Sequence, residues 1–158
     1  AGGPSLDGAA VATRRLYVDA RQGWREAVVY RREKGVVTEF CRYDPAWRVR
    51  MTMPDGGLFS TPRDIALFAH SFLQARSPVL GGATVEAMLG RQSEGYGLGW
   101  ILDRENQFSH WGSSGTLVWA DRKTGVVGVF FAQMQDYAML EKLRNAVRDA
   151  VDRAIAVR

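Results

Sequence analysis

The sharpest hydrophobic pattern in the chain lies in "STPRDIALFAHSFLQAR", where Ile65, Phe68, Ala69, Phe72 and Leu73 recur at helical spacing and make one apolar stripe. Thr61 is a natural N-cap, Pro62 suits the first helical position, and Asp64 puts an acid where it faces the helix N-terminus. The stretch predicts a helix. A shorter one is expected in "GATVEAMLGRQ", from about Ala83 to Leu89. A third, from about Asp136 to Val157, carries Leu140, Leu143, Val147, Ala150, Val151 and Ala154 at i, i+3, i+4 spacing, an amphipathic pattern suited to packing on a sheet.

Other segments are patterned for strands. "GYGLGWILD", "QFSHWG", "TLVWAD" and "VVGVFFAQM" are rich in aromatic and β-branched residues, are separated by short polar turns, and predict consecutive antiparallel strands. Upstream, "EAVVYRREKGVVTEF" has two β-branched runs around Glu33-Lys34-Gly35, a hairpin in which glycine supplies the positive φ of a tight turn. Residues 1–23 are Gly- and Ala-rich and read as irregular or weakly helical. "CRYDPAWRVRMTMPDGG" reads as a long connection broken by Pro45, Pro54 and Gly56-Gly57. With no repeat, low-complexity tract or internal boundary, residues 1–158 are expected to form one domain. The expected fold is α+β: a mostly antiparallel sheet with the C-terminal helix on one face and the Thr61 helix in an adjoining helical region.

Composition narrows the function classes. No run of about 18 or more uncharged apolar residues is present, and "AGGPSLDGAA" lacks the plan of a signal peptide, so neither a membrane span nor a targeting segment is visible. The single cysteine, Cys41, excludes an internal disulfide. Two histidines, His70 and His110, make no zinc ligand set, and neither a metal nor a cofactor is implied. The net charge of +4 comes mostly from arginines scattered among acids and apolar residues in "ATRRLYVDARQGWREAVVYRREKG". No helix shows a one-sided basic stripe, so this reads as solvated surface and no nucleic-acid partner is expected.

Two short stretches carry candidate chemistry. A Lys-Thr-Gly triplet on a strand lines the active site of some serine hydrolases, and Lys123-Thr124-Gly125 reproduces it literally. Here it falls in "DRKTG", between Leu117-Val118-Trp119-Ala120 and Val126 to Phe131, where an initial Asp and a final Gly describe a hairpin loop that carries the lysine to solvent. The second stretch is "FSHWGSSGT". His110 ends a strand-like segment and could hydrogen-bond or shuttle a proton near neutral pH; alone, it reads rather as a strand histidine beside a tight turn. Gly112 and Gly115 permit close backbone approach, and exposed amides beside them could hold an oxyanion. His70 lies off the apolar stripe of its helix and reads as structural or surface.

In order and spacing, "MPDGGLFSTPRDIALFAHSFL", "YGLGW" and "FSHWGSSGTLVWADRKTGVVGVFFAQ" resemble the later part of the β-lactamase-related serine hydrolases, which include class C-type β-lactamases, DD-peptidases and esterases. The resemblance spans roughly Met53 to Met134, extends more loosely to the terminal helix, and is weak before Pro45. In the esterase-like branch a His-x-Gly replaces Lys-Thr-Gly on the strand facing the nucleophile, and His110-Trp111-Gly112 matches it. The resemblance implies a DD-peptidase/β-lactamase-like fold and a serine of a Ser-x-x-Lys motif that attacks an ester, amide or β-lactam carbonyl to form an acyl-enzyme. It also implies that the Ser113 N–H is one oxyanion donor, the nucleophile's own amide being the other, so that His110, Gly112 and Ser113 form the catalytic wall contributed here.

This sequence has no Ser-x-x-Lys, and no Tyr-x-Asn follows Tyr17, Tyr30, Tyr43, Tyr96 or Tyr137. By family order both motifs would precede Ala1, so the chain is expected to be a C-terminal part, inactive alone. Gly112-Ser113-Ser114-Gly115 is one residue too short for a Gly-x-Ser-x-Gly elbow and precedes a strand rather than a helix. Trp111 departs from the family, which commonly has Ser, Thr or a small residue there whose hydroxyl, in β-lactamases, helps bind the substrate carboxylate. The indole either occupies the site or points away from it, and either way esterase or peptide-type hydrolysis is favoured over β-lactam resistance. The expected partners are a small-molecule ester, amide or β-lactam and either the missing N-terminal segment or a second copy of the chain, since the sheet would otherwise expose apolar surface. The residues leave the compartment open; the resemblance implies a periplasmic or secreted location, with any signal peptide expected upstream of this chain. The alternatives are a non-catalytic binding or assembly domain that kept the fold, and an unrelated α+β domain with no cleft beside His110.

Overall fold

A hairpin opens the described part of the chain. β1 (Val29–Glu33) and β2 (Val36–Cys41) pair antiparallel, and the turn places both Lys34 (φ 49°) and Gly35 (φ 84°) in the left-handed region that a two-residue hairpin loop requires. The structure is a computed structural model and describes residues 27–41, 58–74, 77 and 79–156. The expectations for residues 1–23 and for the connection after Cys41 lie outside them.

The helix expected after Thr61 forms as α1 (Pro62–Ser71), with the Thr61 hydroxyl accepting the Asp64 N–H at 3.1 Å. Its stripe delivers Ala69 and Phe72 to the core, where they meet Val85 and Leu89 of α2 (Gly82–Leu89) and Trp100, Phe108 and Ala120. The aromatic rings interlock edge to face, Phe72 on Trp100 at 5.2 Å and Trp100 on Phe108 at 4.8 Å.

Phe108 and Ala120 enter that core from an antiparallel sheet of β3 (Gln107–Trp111), β4 (Thr116–Asp121) and β5 (Val127–Phe131), in that order. Its opposite face holds Leu117 and the buried Trp119, whose ring covers Gly128 on the neighbouring strand so closely that a Cβ there would overlap it. The fourth expected strand, "GYGLGWILD", does not form as one. Gly95 and Gly99 both take positive φ and turn the chain, leaving isolated bridges, of which Ile101 to Ser109 extends the outer edge of β3.

β6 (Met134–Gln135) continues β5 after two residues and pairs in parallel with β1, so the hairpin attaches as a second, mixed sheet of order β2-β1-β6, and this short parallel pair is the exception in a mostly antiparallel arrangement. The Tyr30 N–H donates to the Gln133 carbonyl at 2.9 Å at this junction. α3 (Tyr137–Ala156) then returns across the second face of the three-stranded sheet, started by Asp136, whose carboxylate accepts the Met139 N–H at 3.1 Å.

The buried side of α3 is not the apolar stripe alone. Leu140, Arg144 and Arg148 are buried, whereas Leu143 is 38% exposed. Arg148 faces inward because β3 and the loop before it supply partners: its Nε donates to Gln107 Oε1 at 2.9 Å, and its Nη1 and Nη2 reach the Asp103 carboxylate at 3.1 and 3.3 Å. The result, among the described residues, is an α+β fold of three helices and two small sheets.

Candidate functional site at the end of β3

Strand alternation sorts the residues of β3. Phe108 faces the α1–α2 core, so His110 projects from the same side, exposed at the end of the sheet. Trp111 projects from the opposite side, where the Arg144 guanidinium lies 4.7 Å from its ring centroid. Of the two orientations left open by the sequence, the indole therefore takes the one turned away from His110.

The chain reverses through a turn over Gly112-Ser113-Ser114-Gly115. The Gly112 N–H donates to Thr116 O at 3.1 Å, and the Gly115 N–H donates back to Gly112 O at 3.0 Å. Gly115 is held to glycine by its backbone, whereas a side chain at Gly112 would have to displace the Thr116 hydroxyl. A Cβ on Gly112 would stand 2.6 Å from Thr116 Oγ1; Gly115 has φ +98°, and its Cβ would stand 2.6 Å from Leu140 Cδ2. The far side of the turn is tied down as Met134 N–H donates to Ser114 O at 3.0 Å and Ala132 N–H to Gly115 O at 3.2 Å. Arg144 Nη2 adds a 2.8 Å hydrogen bond to Gly112 O from α3.

Against this fixed frame, several polar groups have no partner among the described residues. The exposed Ser113 amide donates to none of them, and the His110 imidazole makes no hydrogen bond with them. Ser109 exchanges both backbone bonds with Ile101, at 2.9 and 2.7 Å. Two residues further, the Trp111 N–H and C=O turn to the same edge, beyond Ile101, where no described group meets them. The structure thus brings His110, Gly112 and Ser113 to one strand end, beside an open backbone edge. Such a place can donate to a developing oxyanion and carry a proton. No serine hydroxyl among the described residues is hydrogen-bonded to a histidine or lysine, the signature of an activated nucleophile.

The other candidates fall elsewhere. Lys123-Thr124-Gly125 forms the loop between β4 and β5: the Lys123 and Thr124 amides donate to Asp121 Oδ1 at 2.8 and 2.9 Å, and Gly125 takes φ +73°. His70 is exposed on α1, its Nδ1 3.2 Å from Gln74 Nε2. A depression of about 440 Å³ between the end of α1 and α2 is lined by Phe72, Val85, Glu86 and Arg122, away from His110. Among the described residues no group of three or more His, Cys, Asp or Glu could hold a metal ion, and no helix is long and apolar enough to cross a membrane. Sequence reasoning did not single out Arg144; its partners lie 32 and 33 residues away, and a basic residue on an amphipathic helix gives no local sign of them.

A family model described as Beta-lactamase matches residues 7–152, nearly the whole chain. The chain belongs to this β-lactamase-related serine hydrolase family. No curated protein matches it.

Proposed function

From membership of that hydrolase family, we propose that the chain forms the wall of a serine acyl-hydrolase site that stands opposite the nucleophile, in an enzyme that cleaves an ester, amide or β-lactam through an acyl-enzyme. The nucleophilic serine and its lysine come from sequence upstream of residue 1. What supports this reading is the Ser113 N–H, which stands beside His110 and meets no acceptor among the described residues.

In the proposed reaction the serine Oγ bonds to the substrate carbonyl carbon, and the carbonyl oxygen becomes an oxyanion. The Ser113 N–H donates to that oxyanion together with the nucleophile's own amide. The carbon–leaving-group bond then breaks, with the serine proton passing to the leaving group. His110, on the same side of the strand, is placed to hydrogen-bond the substrate or to relay that proton. Water repeats the attack on the acyl-enzyme and frees the acid. The N–H and C=O of Trp111, met by no described group, can pair with an extended substrate backbone as an added strand would. Because the Trp111 indole faces α3, position 111 offers substrate only its backbone, which favours ester or peptide-type substrates over a β-lactam whose carboxylate needs a hydroxyl there.

Covalent labelling with a fluorophosphonate, on this chain and on one extended upstream, with the modified serine located by peptide mapping, tests the reading. Labelling confined to an upstream serine in the longer chain is expected. Modification of Ser113 or Ser114 in the short chain would overturn the nucleophile assignment, and labelling of neither chain would favour a binding domain that kept the fold.

A further inference from the structure

The two arginines that α3 buries against the sheet are satisfied differently. Arg148, 3% exposed, has the Asp103 carboxylate and Gln107. Arg144, 8% exposed, has no carboxylate within ion-pair distance among the described residues, and its Nε is buried without a hydrogen-bond partner. Burial lowers its pKa from the ordinary value, against a smaller upward pull from Tyr137 and Glu141, yet an arginine remains charged. A buried cation without a counter-ion is costly. A methionine would pack on Trp111 without that cost. What the charge adds is the cation–π contact with the Trp111 ring and, at the turn itself, the 2.8 Å bond from Nη2 to the Gly112 carbonyl.

That carbonyl and the Ser113 N–H are the two ends of one peptide group. A trans peptide is planar with its C=O and N–H antiparallel, so holding one end aims the other. Arg144 from α3 and the Gly115 N–H from within the turn both bind the carbonyl, which directs the Ser113 N–H away from both. Glycine at 112 leaves this peptide more rotational freedom than any other residue would. A guanidinium on the carbonyl restrains it and, by polarising the amide, strengthens the N–H as a donor.

We infer that Arg144 is a positioning residue for oxyanion stabilisation, fixing and polarising the Gly112–Ser113 peptide so that the Ser113 N–H is held ready for the substrate oxygen. This rests on the oxyanion reading of Ser113 given above.

The test compares Arg144→Met, Arg144→Lys and Ser113→Pro in the chain extended upstream through its nucleophile, with a p-nitrophenyl ester as probe. Arg144→Met is expected to lower kcat about tenfold or more while KM changes by less than about twofold, because the oxyanion exists only beyond the ground state. Arg144→Lys should recover part of the loss, since an ammonium can reach the same carbonyl with weaker geometry. Should the methionine variant fold poorly, the lysine variant serves with a second readout: the Ser113 amide resonance shifts and its exchange with solvent quickens, while the Gly128 amide is unaffected. Unchanged kcat together with an unchanged Ser113 amide would overturn the inference. Ser113→Pro separates this from the reading beneath it. Ser113 follows the first residue of the turn, where proline is well accommodated, so the substitution removes chiefly the donor. A folded Ser113→Pro variant that keeps its kcat sinks the oxyanion reading itself; one that loses about a hundredfold, beside an unaffected Arg144→Met, sinks only the role of Arg144.

Discussion

The Asp121 carboxylate accepts the Lys123 N–H at 2.8 Å, which makes Lys123 a member of a closed hairpin loop and not of a strand. The adjoining Thr124 N–H reaches the same oxygen at 2.9 Å, and Gly125 N–H returns to Asp121 O at 2.9 Å. The lysine of the literal Lys-Thr-Gly triplet is thereby exposed at the end of the sheet. Lys123→Ala should leave the kcat of the extended chain unchanged and shift stability by no more than about 0.5 kcal/mol, as expected of a surface substitution. Steady-state kinetics beside a thermal melt would decide it; a large fall in kcat would return the triplet to the active site.

The same loop makes stability depend on acid. Burial alone would raise the Asp121 pKa, but hydrogen bonds from the Thr124 N–H, Gln107 Nε2 and Lys123 N–H outweigh it and hold the carboxyl below its ordinary value. A carboxyl depressed by folding stabilises above its unfolded pKa, and that contribution is lost as the pH falls through the folded value. Asp121→Ala should therefore lower Tm fully at neutral pH, with the deficit shrinking below about pH 4. Calorimetry across that range, finding a constant deficit, would contradict the assignment.

The His110 side chain and the Ser113 hydroxyl should separate in their effects. On the proposed chemistry His110→Ala removes a hydrogen-bonding and proton-carrying group and should reduce kcat by about a hundredfold in the extended chain. Ser113→Ala keeps the backbone N–H and should cost little. Equal losses in the two variants would mean that the Ser113 hydroxyl, not its amide, takes part.

Gly128 and Trp119 report on the sheet that supports the site. Their strands pair directly, and the indole occupies the space a Cβ at 128 would need. Gly128→Ala is expected to destabilise by about 1–3 kcal/mol through overpacking. A denaturant melt showing no loss would place the Trp119 ring elsewhere.

Local signals carried much of the fold into the sequence. Thr61, Pro62 and the stripe through Phe72 define a helix start and a buried face within one short window, and Lys34-Gly35 and Asp121–Gly125 specify turns by their own backbone demands. The candidate site was legible only as far as His110, Gly112 and Ser113 are close in sequence. What stayed hidden depends on distant partners. In "GYGLGW" the aromatic content suggested a strand, but Gly95 and Gly99 turn the chain before a ladder can form. On α3 an apolar count misses the burial of Arg144 and Arg148, because the groups that satisfy them lie on β3, the turn after it and the loop before it. β6 likewise pairs with a hairpin about a hundred residues upstream, which no local pattern announces.

Arg148 is the residue through which α3, β3 and the β4–β5 loop act together. It donates to Gln107 Oε1, while Gln107 Nε2 donates to Asp121 at 3.1 Å and to Asp152 at 3.3 Å. Removing the guanidinium leaves the Gln107 oxygen buried without its donor and releases Asp103, whose side chain is 47% exposed and can be resolvated. Arg148→Met should thus cost about 1–3 kcal/mol, mainly through Gln107 rather than through the ion pair. Asp103→Asn, which weakens the ion pair but keeps Gln107 satisfied, should cost less. Urea melts of both single variants and the double variant would show it. If Asp103→Asn destabilised as much as Arg148→Met, the ion pair would be the dominant link between α3 and the sheet.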